Sequence, residues 1–161
     1  MNKQENSLIQ NFDFDIINKK VIITRCDTSA TEVVIPSEIM GYPVTKIGIG
    51  AFFICKKLKS VIIPSSVKII EQDAFNKCIS LISIIIPNTV EIIRKRAFAY
   101  CENLESIQLS QSIIILEEAT FRECKKLKSI SIPNSVNQIE EETFESCENL
   151  VSVELSQYTN I

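Results

Sequence analysis

Cysteines at a regular spacing are the residues in this chain whose type and position first suggest chemistry. Five of the six recur every 23 residues, at Cys55, Cys78, Cys101, Cys124 and Cys147. A zinc site needs thiolates that converge tetrahedrally, usually from close spacings such as C-x-x-C, whereas this spacing predicts a straight row. Neighbouring Cα atoms in such a row come within disulfide range, but parallel side chains make the disulfide dihedral angle difficult. We interpret the column as buried structural thiols, with disulfides and metal as weaker alternatives.

Acidic residues are the other candidates for catalysis, because the chain has no histidine to act as a base near neutral pH. Glutamates cluster at residues 117–118 and 140–142. They do not form a D-x-D-x-D-G calcium loop, and the sequence has no phosphate-binding glycine motif and no G-x-S-x-G. We interpret the clusters as a solvated acidic rim. The sequence therefore predicts a protein that is not an enzyme, with no metal site and no cofactor.

The cysteine column belongs to a 23-residue unit that occurs five times, starting at residues 47, 70, 93, 116 and 139. Phenylalanine recurs at Phe52, Phe75, Phe98, Phe121 and Phe144, and leucine at Leu58, Leu81, Leu104, Leu127 and Leu150. A fixed period in the twenties is the signature of a solenoid, in which each unit buries its apolar face against its neighbours. We predict that the phenylalanine column is core, where each ring contributes on the order of 2–3 kcal/mol by burial.

The elements that position these columns follow from the pattern within one unit. Leu58-x-x-Val61-x-Ile63 fits the leucine-rich-repeat pattern L-x-x-L-x-L and predicts a short strand that ends at Pro64. A second extended segment follows, and residues 71–76 are expected to form a short helical turn. The prediction is a leucine-rich-repeat solenoid, a β-rich α/β fold. It has a parallel concave sheet, short helical turns on the far side and an N-terminal β-hairpin cap.

The N-terminal part departs from the repeat. Residues 1–11 are polar and are expected to be a flexible segment, and residues 12–46 are expected to be a cap. Two extended stretches at 12–17 and 21–26 predict a hairpin, and an insertion at 40–45 lengthens the first coil to 28 residues. A solenoid needs such a cap to cover its open end.

The last of the five repeats, which together span residues 47–161, is incomplete. We expect its apolar face to be exposed unless the final residues fold over it, which indicates either a truncation or an edge for self-association.

The repeat units match I-G-x-x-A-F-x-x-C-x-x-L-x-x-I-x-I-P-x-S-V, and the chain resembles the BspA-like (Treponema-type) leucine-rich-repeat family over about residues 21–156. The resemblance implies a curved solenoid of the kind found in surface or secreted proteins of bacteria and some protists, some of them adhesins. Some columns depart from the pattern. The glycine of the first unit, Gly48, becomes Glu71, Arg94, Glu117 and Glu140 in later units. A family ligand is therefore not carried over to this chain.

Outward positions of the predicted strands form three columns. The first column is serine throughout, at Ser60, Ser83, Ser106, Ser129 and Ser152. The second consists of Ile62, Ile85, Gln108, Ser131 and Glu154. The third flanks them and consists of Lys59, Ile82, Glu105, Lys128 and Val151. Exposed apolar residues side by side are unusual and favour an interface. We predict that a protein partner binds the concave face through Ser60, Ile62, Ile82, Ser83, Ile85, Ser106, Gln108, Ser129, Ser131 and Glu154. The alternative is that serine only suits a closely packed sheet.

Charge and hydropathy narrow the class of partner. The net charge is −3, and basic residues are interleaved with glutamates, so no nucleic-acid partner is predicted. No apolar run is long enough to insert into a membrane. We predict a protein–protein interaction module, with an adhesin-like role at the cell surface as one version. The alternative is a structural protein that forms homo-oligomers end to end through its last coil.

Localisation stays open between two interpretations. The family resemblance favours the cell surface or secretion. The absence of a signal-like segment in residues 1–11, together with unpaired cysteines, favours the cytoplasm unless the chain is a fragment or a mature form.

Overall fold

A computed structural model describes residues 10–155, which form a solenoid of about six turns built from short strands. In chain order the strands are β1 (Phe12–Ile17), β2 (Lys20–Cys26), β3 (Glu32–Val34), β4 (Glu38–Ile39), β5 (Tyr42–Ile47), β6 (Ser60–Ile62), β7 (Ile69–Ile70), β8 (Ser83–Ile85), β9 (Ile92–Ile93), β10 (Ser106–Gln108), β11 (Ile115–Leu116), β12 (Ser129–Ile132), β13 (Gln138–Ile139) and β14 (Ser152–Leu155). Each coil contributes one strand to each of two ladders.

The first ladder consists of three successive parallel pairs, β3 with β6, β8 with β10, and β12 with β14. The second contains β2, β5, β7 and β9 in one parallel path, followed by the parallel pair β11 and β13. The register is set by the repeat, since Ser83 faces Ser106 and Ile84 faces Ile107. A column in the sequence is therefore a row in space, with neighbours about 4.8 Å apart.

The core lies between the ladders and confirms the predicted solenoid. The rings of Phe52, Phe75, Phe98 and Phe121 are fully buried and stacked, with successive centroids 4.7, 5.3 and 5.8 Å apart. Offset stacking at such distances contributes beyond the burial of area. The apolar columns of the sequence are thus continuous stripes that hold adjacent coils together.

The segments between the ladders differ from the short helical turns expected there. They are successive turns in which an amide bonds the carbonyl three residues earlier, as Ala51 does with Gly48 and Ala74 with Glu71. No helix occurs among residues 10–155. Two positions in each coil have positive φ: one at Gly50, Asp73, Arg96, Ala119 and Glu142, the other at Ile54, Lys77, Tyr100, Glu123 and Ser146. A left-handed residue interrupts a right-handed helix, which explains why none forms.

The N-terminal hairpin is present and covers the first full coil. Strands β1 and β2 are antiparallel and meet at Asn18 and Lys19, both with positive φ, as the two-residue turns favoured in hairpins require. The ring of Phe12 contacts the ring of Phe52 edge-on, at 6.2 Å between centroids and 70° between planes. The insertion forms a second hairpin, β4 with β5, which turns at Met40 and Gly41.

Candidate functional site

The outward side of the first ladder carries the residues predicted to bind a partner, and we call it the strand face. Nine of the ten lie within β6, β8, β10, β12 and β14, and Ile82 immediately precedes β8. Side chains in these strands alternate between the core and this face, as in β10, where Ile107 is buried between exposed Ser106 and Gln108. The serine column runs along the strand starts at Ser60, Ser83, Ser106, Ser129 and Ser152. The strands therefore present these side chains in rows along the solenoid.

The apolar part of the strand face is larger than the sequence indicated. Ile62, Ile82 and Ile85 are 61%, 49% and 64% exposed, and Val34, 47% exposed, faces Ile62 across β3 and β6. Val34 was not among the residues predicted from the sequence. It stands between buried Val33 and Ile35, the same alternation that exposes Ile62, and that pattern was enough to find it. Val34, Ile62 and Ile85 form the apolar patch of the strand face, and Ile82 lies in the flanking column beside Lys59.

The opposite end of the strand face is polar. Beyond Ile85 the same column continues with Gln108, Ser131 and Glu154. In the flanking column Lys128 Nζ lies 2.8 Å from Glu105 Oε2, and this hydrogen bond lowers the pKa of the Glu105 carboxyl. An exposed pair of this kind contributes little to stability. The strand face thus changes from apolar to charged along the solenoid axis.

The thiols of the cysteine column are engaged within the core. Each donates a hydrogen bond to the carbonyl of the phenylalanine in the preceding coil: Cys78 to Phe52 at 3.1 Å, Cys101 to Phe75 at 3.2 Å, Cys124 to Phe98 at 3.3 Å and Cys147 to Phe121 at 3.1 Å. Burial raises the pKa of these four thiols, so they are neutral at physiological pH. Residues 10–155 contain no cluster of three or more side chains able to hold a metal ion.

The glutamates interpreted as an acidic rim also have a structural task. Glu117 accepts hydrogen bonds from the Arg94 guanidinium and from the Lys95 amide, both at 2.9 Å. Glu140 accepts one from the Glu118 amide at 2.9 Å. Glu117 and Glu140 therefore each satisfy a backbone donor of the coil before them. Gly48 is glycine for a different reason, since a Cβ there would lie 2.7 Å from the Ile23 carbonyl oxygen.

No helix in the described range is long and apolar enough to cross a membrane.

Comparison with known proteins agrees with this geometry. The sequence profile described as the BspA type leucine rich repeat region matches residues 24–161 in six copies. The structure is similar to that of a leucine-rich-repeat protein of T. pallidum, with a TM-score of 0.86 and 35% identity over 89% of this chain and 68% of that one. A leucine-rich-repeat protein of Bacteroides capillosus matches with a TM-score of 0.61 and 26% identity over 91% and 95% of the two chains.

A leucine-rich cell surface protein of Faecalibacterium prausnitzii matches with a TM-score of 0.56 and 26% identity over 81% of this chain and 49% of that one. Comparison with curated proteins gives no match. The repeat, the two parallel ladders and these similarities together show that the chain belongs to the BspA-type leucine-rich-repeat family.

Proposed function

We propose that this protein is a non-catalytic binding module that holds a protein partner on its strand face. Proteins built from leucine-rich repeats are generally protein-interaction modules. The observation that carries the proposal is the apolar patch formed by Val34, Ile62 and Ile85, which are exposed on the neighbouring strands β3, β6 and β8. Contiguous apolar exposure of this kind marks interaction surfaces, whereas isolated exposed residues need no explanation.

The hydrogen bonding and core packing beneath the strand face favour binding. Its strands are held by ladder hydrogen bonds, and the core residue of each, such as Val61 and Ile84, is buried. A surface that is ordered before it meets a partner loses little entropy on association. The apolar patch supplies an anchor region, and the polar end with Gln108 and Glu154 supplies orientation.

A cell-surface adhesin is the specific version of this function that we propose. It is supported by the family and by the description of the F. prausnitzii relative as a cell surface protein. In that role the strand face would bind an extracellular protein of a host.

The test measures binding of the full chain to immobilised fibronectin, laminin and fibrinogen by surface plasmon resonance. Ile62→Glu and Ile85→Glu are each expected to weaken binding at least about tenfold, because they place a charge in the apolar patch. Ile49→Glu is the matched control, since Ile49 is 70% exposed but lies outside the ladders. Absence of wild-type binding would contradict the adhesin version, and unchanged binding by both patch variants would contradict the use of the strand face.

Self-association through the last described coil is a second candidate, supported by a separate observation. Residues of the core columns that are buried in earlier coils are exposed there: Ile139 by 45%, Val153 by 44% and Leu155 by 69%. Such an edge can pair with another strand. Light scattering after size-exclusion chromatography should then show a mass that rises above 18.2 kDa with concentration, and less so for Val153→Lys. A constant monomer mass would rule this candidate out.

A further inference from the structure

A depression lies outside both ladders, on the turns at residues 48–56, 71–79 and 94–102. We call this surface the turn face. The depression has a volume of about 540 Å³, and its lining includes Ile49, Phe53, Asp73, Lys77, Arg96 and Tyr100. Backbone hydrogen bonds join the three coils beneath it, from the Ile54 amide to the Asn76 carbonyl at 3.0 Å and from the Lys77 amide to the Ala99 carbonyl at 2.9 Å. Side chains of three successive coils therefore meet at one place.

Lys77 gives the depression its positive charge. Its Nζ lies 5.9 Å from the centroid of the Phe53 ring and 5.7 Å from that of the Tyr100 ring, within the range of cation–π attraction. None of the ion pairs within residues 10–155 involves Lys77. The other cation, Arg96, is paired with Asp73 through Nε and Oδ1 at 3.0 Å and through Nη2 and Oδ2 at 3.2 Å. Among the lining residues, one positive charge is left uncompensated.

The side-chain acceptors of the depression are already used or out of reach. The Asp73 carboxylate accepts hydrogen bonds from Gln72, Asn76 and Arg96, two at each oxygen, which fills its capacity. The Asn76 Oδ1 has no partner but is buried beneath the surface. A neutral sugar, which must donate hydrogen bonds as well as accept them, finds no free carboxylate or amide oxygen here. An anion finds the N–H donors of Lys77, and hydrogen bonds between charged groups are the stronger kind.

The apolar part of the depression belongs to the first of the three coils. Ile49 is 70% exposed and Phe53 is 42% exposed, whereas the equivalent residues of the next coil are Gln72 and Asn76. Gly50, which also lines the depression, adds no side chain to fill the space between them. Exposed apolar side chains beside an uncompensated cation favour a ligand that carries both an apolar group and an anion.

We propose that this depression is a second binding site, separate from the strand face, for a peptide segment in which an acidic residue stands next to an apolar one. The acidic carboxylate accepts hydrogen bonds from Lys77 Nζ, and the apolar side chain covers Ile49 and Phe53. The volume of about 540 Å³ is enough for a few side chains. The site thus recognises a pair of adjacent residues by charge and by apolar area together.

The experiment measures binding of short fluorescent peptides to the full chain by fluorescence anisotropy. The main peptide alternates leucine and glutamate and has blocked termini, so that its charges come from side chains alone. One comparison peptide carries glutamine in place of glutamate, and another carries serine in place of leucine. We expect the main peptide to bind with a dissociation constant on the order of 100 μM and each comparison peptide to bind at least about fivefold more weakly.

Two pairs of variants locate the binding. Lys77→Gln should weaken binding of the main peptide at least about tenfold, whereas Lys126→Gln, which removes the same charge from an exposed lysine outside the depression, should not. Ile49→Glu should also weaken peptide binding, because it places a like charge at the site. Ile62→Glu, which alters the strand face, should leave peptide binding unchanged, so the two binding proposals succeed or fail separately. Circular dichroism checks that each variant is folded.

Four results would overturn the proposal. The first is no binding of the main peptide at millimolar concentration, and the second is equal binding of the glutamate and glutamine peptides. The third is equal binding of the main peptide by wild type and by Lys77→Gln. The fourth is a different occupant in the absence of peptide binding. Binding of glucuronate would assign the depression to an acidic sugar, and self-association lost in Lys77→Gln would assign it to a second copy of the chain.

Discussion

At the scale of single residues, the left-handed positions account for the shape of each coil. Ten residues at a 23-residue spacing have positive φ, and only Gly50 among them is glycine. A left-handed conformation costs a residue with a Cβ roughly 1–2 kcal/mol. The packed columns on either side of each turn outweigh this cost, because they hold the chain in a closed circuit.

Ala119→Gly tests that cost. Ala119 and Ala97 are both buried, but only Ala119 has positive φ, at 53°. The loss of a buried methyl group is common to both substitutions. Ala97→Gly should destabilise the protein by about 1 kcal/mol, because glycine loses more backbone entropy on folding.

The Ala119→Gly variant should have a free energy of unfolding about 1–2 kcal/mol higher than the Ala97→Gly variant, because glycine removes the strain of the left-handed backbone at residue 119. Urea denaturation of the two variants measures the difference. Equal destabilisation would show that position 119 is not strained.

At the scale of elements, the cap is tied to the solenoid by its aromatic contact. Phe12 is 7% exposed, and its ring closes the end of the phenylalanine stack. The Cys26 amide bonds to the Ala51 carbonyl as the Phe52 amide bonds to the Ala74 carbonyl, so Cys26 of β2 stands where later coils have phenylalanine. The Phe12 ring supplies the aromatic contact that Cys26 lacks. The cap therefore continues the core and does more than shield it.

Phe12→Ala should destabilise the protein by about 3 kcal/mol, in line with phenylalanine truncations in cores. Phe53→Ala is the control, because Phe53 is exposed and lies outside the stack. Its cost should be within about 1 kcal/mol. Thermal unfolding followed by circular dichroism compares the two, and a Phe12 variant as stable as the Phe53 variant would show that the cap contact is dispensable.

At the scale of the whole molecule, stability is a sum of coils and the interfaces between neighbours. Phe98 stacks on two rings, at 5.3 Å from Phe75 and 5.8 Å from Phe121. Phe144 stacks on Phe121 at 5.8 Å and is only half-buried within the described part of the chain. Phe98 thus stacks on rings of two neighbouring coils, whereas Phe144 stacks on a ring of one within the described residues.

Phe98→Ala should therefore cost roughly 3–5 kcal/mol, and Phe144→Ala roughly half of that or less. Urea titrations of both variants would measure these values. Equal costs would contradict a nearest-neighbour solenoid, or would show that the Phe144 ring is covered in solution.

Periodicity determined most of what could be known from the sequence alone. The repeated spacing of Phe52, Cys55 and Leu58 predicts the solenoid, and alternation around Val61 predicts which face each residue takes. These inferences succeed because each coil contacts only its neighbours, so local pattern and tertiary contact have the same period. The outward columns, and with them the candidate binding residues, follow from the same rule.

Only the tertiary structure revealed the left-handed turns, which follow the period, and the cap contact, which breaks it. The left-handed turns occur at Arg96 and Ala119, residues whose types give no signal of positive φ. The contact of Phe12 with the Phe52 ring joins segments through a coil of irregular length, so no fixed spacing marks it. Such contacts are set by how the cap closes the solenoid end, and that depends on three-dimensional packing that no repeat encodes.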